Sequence, residues 1–149
     1  MAHENEVLSP HAKPPGMPAD AVMIEVVSDV VCPWCFIGKR RLEKALKLLG
    51  LDDVEIRWRA FELNPDIPKA GVDRTEHRIR KFGSLARARQ LEAQVRAAGA
   101  EEGIVFQFDR IERMPNAFDA HRLILHGGRG DMQDEPVTKP LPPRSFSCL

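Results

Sequence analysis

The sequence predicts an α/β fold in which a βαβ unit is followed by a mainly helical segment. Residues 22–28 form a mostly apolar run that is typical of a buried strand. Residues 54–61 alternate apolar and polar side chains with a period of two, which predicts a second strand. Because an amphipathic segment lies between them, we expect the two strands to be parallel neighbours joined by a helical crossover.

The composition is that of an ordinary soluble globular domain. The 149 residues fit one domain, with 43% hydrophobic and 30% charged residues. The 22 Lys and Arg residues balance the 22 Asp and Glu residues, so no net field favours nucleic acid or an anionic membrane as partner. No apolar stretch approaches the roughly 20 residues that a membrane span needs. The composition leaves the oligomeric state open.

The motif that carries chemistry is Cys32-Pro33-Trp34-Cys35, which lies between the first strand and the crossover helix. Two thiols at this spacing can close a disulfide and open it again, and strand, Cys-x-x-Cys, helix is the arrangement of a thioredoxin-like redox site. Pro33 suits the first helical position because its missing N–H is not needed there. Cys32 would then lie at the helix N-terminus, which favours a thiolate, so we expect a lowered pKa for Cys32. Cys32 is predicted to attack and Cys35 to act as a buried resolving thiol.

A zinc site and a purely structural disulfide are the two other interpretations of the cysteine pair. A zinc site would need two further ligands at similar spacing, whereas the chain offers only Cys148 and five scattered histidines. We therefore predict no metal site. A purely structural disulfide is the second alternative, and it is uncommon in the cytoplasm. Residues 1–20 are rich in proline and lack the apolar core of a signal peptide, so we expect a flexible leader and a cytoplasmic location.

Helix signals divide the rest of the chain. The redox helix is predicted over 33–49 and ends at Gly50, and the βαβ half is predicted to occupy 22–72. A helical insertion is expected over 73–128, with a helix start at Asp73, a stop and new cap at Gly83-Ser84, and a last helix over 117–125. Residues 103–108 form either a short strand or an extended link.

The last segment, 129–149, has no periodicity and contains four prolines between 136 and 143. These prolines exclude a regular helix or a central strand, so we predict a disordered tail unrelated to the rest. Cys148 lies in this tail and is expected to be incidental.

Several side chains have a structural and a functional interpretation. Trp58 is expected in the core. Trp34 either packs on the domain surface or faces substrate, because aromatic side chains are favoured at contacts. Asn116 is expected to cap the last helix rather than to bind a ligand. His121 is expected to be a satisfied helix histidine rather than a proton shuttle.

Five separated motifs resemble the DsbA-like thioredoxin-fold oxidoreductases, most closely the FrnE-type subgroup. They are residues 28–35, 37–43, 58–65, 81–84 and 115–123. The resemblance implies a thioredoxin fold with an inserted helical domain, and thiol–disulfide exchange on protein or low-molecular-weight substrates. Cys32 and Cys35 are therefore the predicted catalytic thiols, and Pro33, Trp34 and Asn116 are the candidate substrate-binding residues. In related isomerases and transferases the residue that corresponds to Asn116 lies near the thiol-binding cleft.

The chain departs from this family after Gly130. Family members complete the sheet with an antiparallel hairpin, a last helix and a cis-proline loop, and nothing after Gly130 matches these features. We therefore expect that the C-terminal half of the sheet is missing and that the chain is truncated. An inactive remnant is one alternative function. A glutathione-dependent 2-hydroxychromene-2-carboxylate isomerase or kappa-type transferase is another, although those enzymes typically carry serine in place of Cys32. Glutathione is a candidate co-substrate, and no other cofactor is predicted.

Overall fold

The computed structural model describes residues 22–51 and 54–127, and side chains through 126. The leader, the predicted tail and Cys148 therefore lie outside the described residues. In chain order the elements are β1 (Met23–Ser28), α1 (Pro33–Leu49), β2 (Glu55–Ala60), β3 (Val72–Asp73), α2 (Arg74–Phe82), α3 (Leu85–Glu101), a 3-10 turn (Phe108–Arg110), β4 (Arg113–Met114) and α4 (Phe118–Gly127).

The βαβ unit is present as predicted. Strands β1 and β2 pair in parallel, with Met23 opposite Glu55 and Ser28 opposite Ala60. Helix α1 is the crossover between them, and Trp58 of β2 is buried as expected for a core residue. Both strands end at the same edge of the sheet, so the loop that follows β1 and the loop that follows β2 lie side by side.

Local signals fix both ends of α1. Pro33 occupies the first turn after Cys32, whose backbone is extended. At the other end Gly50 adopts a left-handed conformation with φ of 63°, and the Leu51 N–H donates to the carbonyl of Leu46 at 3.0 Å. A non-glycine residue would be strained at Gly50.

The helical segment begins at the capping residues that the sequence indicates. The Asp73 carboxylate accepts a hydrogen bond from the Glu76 N–H at 2.9 Å, and the Ser84 hydroxyl accepts one from the Arg87 N–H at 3.1 Å. The sequence did not predict the antiparallel pair β3–β4, because strands of two residues carry no periodicity. Residues 104–107 form an extended link that leads into the 3-10 turn, so the strand alternative for 103–108 is wrong.

The main core lies between α1 and α3. It consists of Ile37, Val95, Phe106, Phe108 and Ile111, with Phe36, Ala98 and Ile104 packed against it. The rings of Phe106 and Phe108 are stacked with centroids 5.2 Å apart. Ile37, which is 1% exposed, lies two residues after Cys35 and thus anchors the redox helix to the helical segment.

Two helix glycines should respond to alanine with opposite signs. At Gly99 a Cβ would lie 2.6 Å from Cε2 of Phe106, whereas at Gly38 it meets no described atom within 4 Å. We expect Gly99→Ala to destabilise the fold by about 1–3 kcal/mol through overpacking. Gly38→Ala should stabilise it by about 1 kcal/mol because alanine is the better helix former. Urea unfolding of both variants measures this, and a stabilised Gly99→Ala would contradict it.

Candidate active site

The two thiols lie at the start of α1, where the loop after β1 turns into the helix. The Cys32 N–H donates to the Asp29 carbonyl at 3.1 Å, and the Cys32 carbonyl accepts from the Cys35 N–H at 3.1 Å. Cys32 is the N-cap residue and Cys35 lies in the first helical turn. Both side chains are half-buried and neither forms a disulfide. The prediction that Cys35 is buried and Cys32 more exposed is therefore wrong, because the two side chains fall in the same half-buried class.

The pKa of the Cys32 thiol is raised from its ordinary 9.0 to about 11, so the expectation of a lowered pKa is wrong for the reduced site. Burial is the largest cause because it disfavours the charged thiolate. The hydrogen bond between the Cys32 and Cys35 side chains raises the pKa further. Backbone N–H groups of Cys35 and Trp34 lower it, as a helix N-terminus should, but they are outweighed.

The residues between the thiols differ in exposure. Pro33 is half-buried, whereas the Trp34 side chain is 49% exposed. Trp34 therefore extends into solvent beside Cys32 rather than packing into the described core. An indole in this place offers apolar contact area to a molecule that approaches the Cys32 sulfur.

Asp29 is the buried acid beneath this loop, and it is only 2% exposed. Its Oδ1 accepts a hydrogen bond from the Val31 N–H at 3.1 Å, and its Oδ2 accepts one from the Leu63 N–H at 2.7 Å. The carboxylate thus joins the Cys32 loop to the loop that follows β2. The sequence alone does not predict this role for Asp29, although a carboxylate directly after an apolar strand is the kind of residue that stays buried only when it is paired.

His121 of α4 completes the environment of this carboxylate. It is 5% exposed, and its Nε2 lies 3.1 Å from Oδ1 of Asp29. Because an ionised carboxylate can only accept, we assign the hydrogen to Nε2. The expectation of a satisfied helix histidine is confirmed, with a partner 92 residues away that the sequence did not indicate.

Asn116 lies two residues before the first residue of α4, one position earlier than the cap position predicted for it, and ties this helix to the loop after β2. Its Oδ1 accepts from the Phe118 N–H at 2.9 Å, and its Nδ2 donates to the Ile67 carbonyl at 2.7 Å. The oxygen and the nitrogen of the amide therefore each have a hydrogen-bond partner within the protein. These contacts account for the side chain without a ligand.

A cavity of about 230 Å³ lies behind Cys35, between α1 and the sheet. Its lining includes Cys35, Lys39, Trp58 and residues of β1. Lys39 is 5% exposed, forms an ion pair with Glu43, and lies 5.7 Å from the centroid of the Trp58 ring. The Trp58 Nε1 is buried and has no hydrogen-bond partner among the residues that the structure describes.

Within residues 22–51 and 54–127, no three side chains of His, Cys, Asp and Glu come together in a way that could hold a metal ion. In the same ranges, no helix combines the length and apolar character that crossing a membrane requires.

Residues 23–140 match the sequence profile of the DSBA-like thioredoxin domain family. The chain belongs to this family. A probable DsbA oxidoreductase from Streptomyces coelicolor has a similar structure, with a TM-score of 0.70 and 30% sequence identity. The superposition covers 84% of this chain and 52% of the Streptomyces protein, so the chain spans about half the length of that relative.

A second relative is a protein from Bacillus subtilis (strain 168), named YwbO and described as uncharacterized. It is 54% identical over 44 residues, which are 30% of this chain and 20% of that protein. The family match and the Streptomyces structure together confirm a thioredoxin-like DsbA fold of mixed α/β class. The roles given to Cys32, Cys35, Pro33, Trp34 and Asn116 stay predictions.

Proposed function

We propose that this chain is a thiol–disulfide oxidoreductase of the FrnE-type subgroup, acting through Cys32 and Cys35 on protein or low-molecular-weight thiols and disulfides. The observation that carries the proposal is the pair of thiols at the N-terminus of α1, on a loop held by a buried carboxylate. Membership of the DSBA-like family and the likeness to a probable DsbA oxidoreductase support the same class of chemistry.

In the oxidising direction the Cys32–Cys35 disulfide is the electron acceptor. A substrate thiolate attacks the Cys32 sulfur, the bond to Cys35 breaks, and Cys35 leaves as a thiolate. A second substrate thiolate then attacks the substrate sulfur of the mixed disulfide, and Cys32 leaves. The substrate loses two electrons as its disulfide forms, and the protein gains them as a dithiol. Both substrate protons pass to the two protein thiols or to water.

In the reducing direction the Cys32 thiolate attacks a substrate disulfide, and one substrate sulfur leaves as a thiolate. Cys35 loses its proton and attacks Cys32, which releases the second substrate thiolate and closes the protein disulfide. Cys32 suits the attacking role because it lies at the N-cap beside the exposed Trp34. Cys35 suits the resolving role because it lies three residues further along α1, where it lines the cavity between α1 and the sheet.

We expect Cys32→Ser to lose all turnover of insulin or glutathione disulfide, because a serine hydroxyl cannot form the mixed disulfide. Cys35→Ser should accumulate a mixed disulfide on Cys32 that mass spectrometry detects. Cys148→Ser is the matched control, since it makes the same substitution outside the site, and it should keep wild-type turnover. Circular dichroism on each sample establishes that the protein is folded.

The alternatives give different results in the same experiment. Undiminished activity of Cys32→Ser would contradict the proposal. Glutathione-dependent activity that survives in Cys35→Ser would favour an isomerase or transferase of the 2-hydroxychromene-2-carboxylate isomerase or kappa type. A disordered spectrum with no turnover in the wild-type chain would identify an inactive remnant.

A further inference from the structure

We propose that Asp29 and His121 form a positioning pair, through which helix α4 holds the loop that presents Cys32. The inference rests on the function proposed above, because it concerns the orientation of the attacking thiol. Neither side chain is assigned a place in the exchange of electrons. The pair is inferred to act only by fixing the backbone that carries Cys32.

The Asp29 carboxylate bridges three segments that are distant in sequence. It accepts from Val31 in the Cys32 loop, from Leu63 in the loop after β2, and from His121 in α4. The Asp29 backbone carbonyl accepts the Cys32 N–H directly. One residue thus connects the N-cap cysteine to two other parts of the fold, and any rotation of Asp29 displaces Cys32.

Burial makes this connection rigid. Asp29 and His121 are 2% and 5% exposed, so water offers no replacement partner when one contact is lost. A buried acceptor left without its donor costs about 1–3 kcal/mol, and more when it is charged. The loop would therefore have to move toward solvent to rehydrate the carboxylate. That movement would carry Cys32 with it.

The pair acts by position rather than by charge on the sulfur. Burial is the largest cause of the raised Cys32 pKa, and the charged and hydrogen-bonding groups that follow it belong to Cys35 and Trp34 rather than to Asp29 or His121. Loosening the loop would expose Cys32 and reduce the largest of these causes. The rate at which an uncharged alkylating reagent modifies Cys32 is therefore a direct measure of loop position.

Glutamine and asparagine at position 121 separate a hydrogen-bonding role from a packing role. A glutamine amide nitrogen reaches about as far from the backbone as the histidine Nε2, whereas an asparagine amide nitrogen is one bond shorter. His121→Gln can thus still donate to Asp29, and His121→Asn cannot. His121→Leu removes the donor while it keeps the side chain bulky.

The experiment measures iodoacetamide alkylation of reduced Cys32 at pH 8 in a Cys148→Ser background, with Cys32 peptides quantified by mass spectrometry. We expect His121→Leu and His121→Asn to alkylate Cys32 about tenfold faster, which corresponds to a fall of one unit in its pKa. His121→Gln should alkylate Cys32 within about twofold of the parent rate, which is well below the tenfold change that one pKa unit gives. If His121→Leu does not fold, the comparison of the two amides decides the question alone.

His77→Leu is the matched control, because His77 is a histidine of α2 that is 7% exposed and whose ring lies 3.4 Å from Arg80 rather than near Asp29. It should lower the unfolding temperature without changing Cys32 alkylation. Parent-like alkylation in both His121→Leu and His121→Asn would overturn the proposal, as would equal acceleration in His121→Gln. Alkylation needs no turnover, so an inactive parent chain would refute the proposed function and still test the positioning pair.

Discussion

Alkylation of Cys32 in the reduced wild-type protein should accelerate about tenfold for each pH unit between pH 7 and pH 10, and should level off only near pH 11. The reagent reacts with the thiolate, and a pKa of about 11 leaves little thiolate at neutral pH. Iodoacetamide kinetics across this range measure the profile. A plateau that begins below pH 8 would show that the helix N-terminus outweighs burial.

Cys35→Ala tests the cause of this profile. The Cys35 side chain raises the pKa of Cys32 through their hydrogen bond, so its removal should move the plateau to lower pH.

The raised pKa of Cys32 also makes the free energy of unfolding depend on pH. Because the folded pKa lies above the ordinary 9.0, the unfolded chain releases the Cys32 proton first as pH rises. Stability should thus be unaffected by Cys32 below pH 9 and should decline between pH 9 and pH 11.

The reduction potential of the Cys32–Cys35 pair should be nearer the roughly −270 mV of thioredoxin than the roughly −120 mV of DsbA. DsbA is a strong oxidant because its reduced form is stabilised, with a thiol pKa of about 3.5. Here the reduced site holds Cys32 protonated and gains no stabilisation from a thiolate. The disulfide is therefore more stable relative to the dithiol than it is in DsbA. The protein should accordingly reduce substrate disulfides more readily than it oxidises thiols.

Equilibration with a dithiothreitol redox buffer measures this potential in the Cys148→Ser background, where only one disulfide can form within the chain. The oxidised fraction is read from the mass added by alkylation. A potential above about −200 mV would contradict the prediction and indicate an oxidant of the DsbA kind.

The elements nearest the thiols were predictable because their signals are local. Pro33, Gly50 and the caps Asp73 and Ser84 act within a few residues of their own positions, and each ends or begins a helix where the sequence placed it. The amphipathic helix between β1 and β2 was enough to predict that the two strands pair in parallel. Periodicity and capping carry this information without any knowledge of tertiary contacts.

The environment of the thiols was not predictable in the same way. The raised pKa of Cys32 depends first on burial, which is a sum over segments that fold against the loop. The contact between Asp29 and His121 spans 92 residues, and no spacing rule links such positions. The motif predicts which sulfur atoms react, whereas part of the forces on them comes from residues that the motif does not contain.

The long separation of Asp29 from His121 has a consequence for synthesis on the ribosome. A ribosome adds about 5–20 residues each second, so the 92 residues between the two side chains take roughly 5–20 s to follow. During that interval the nascent chain carries Cys32 and Cys35 beside an Asp29 carboxylate whose third hydrogen-bond partner, His121, has not yet been made. The loop that carries the thiols is therefore incompletely restrained until His121 has been made, and the rate of translation sets the length of that interval.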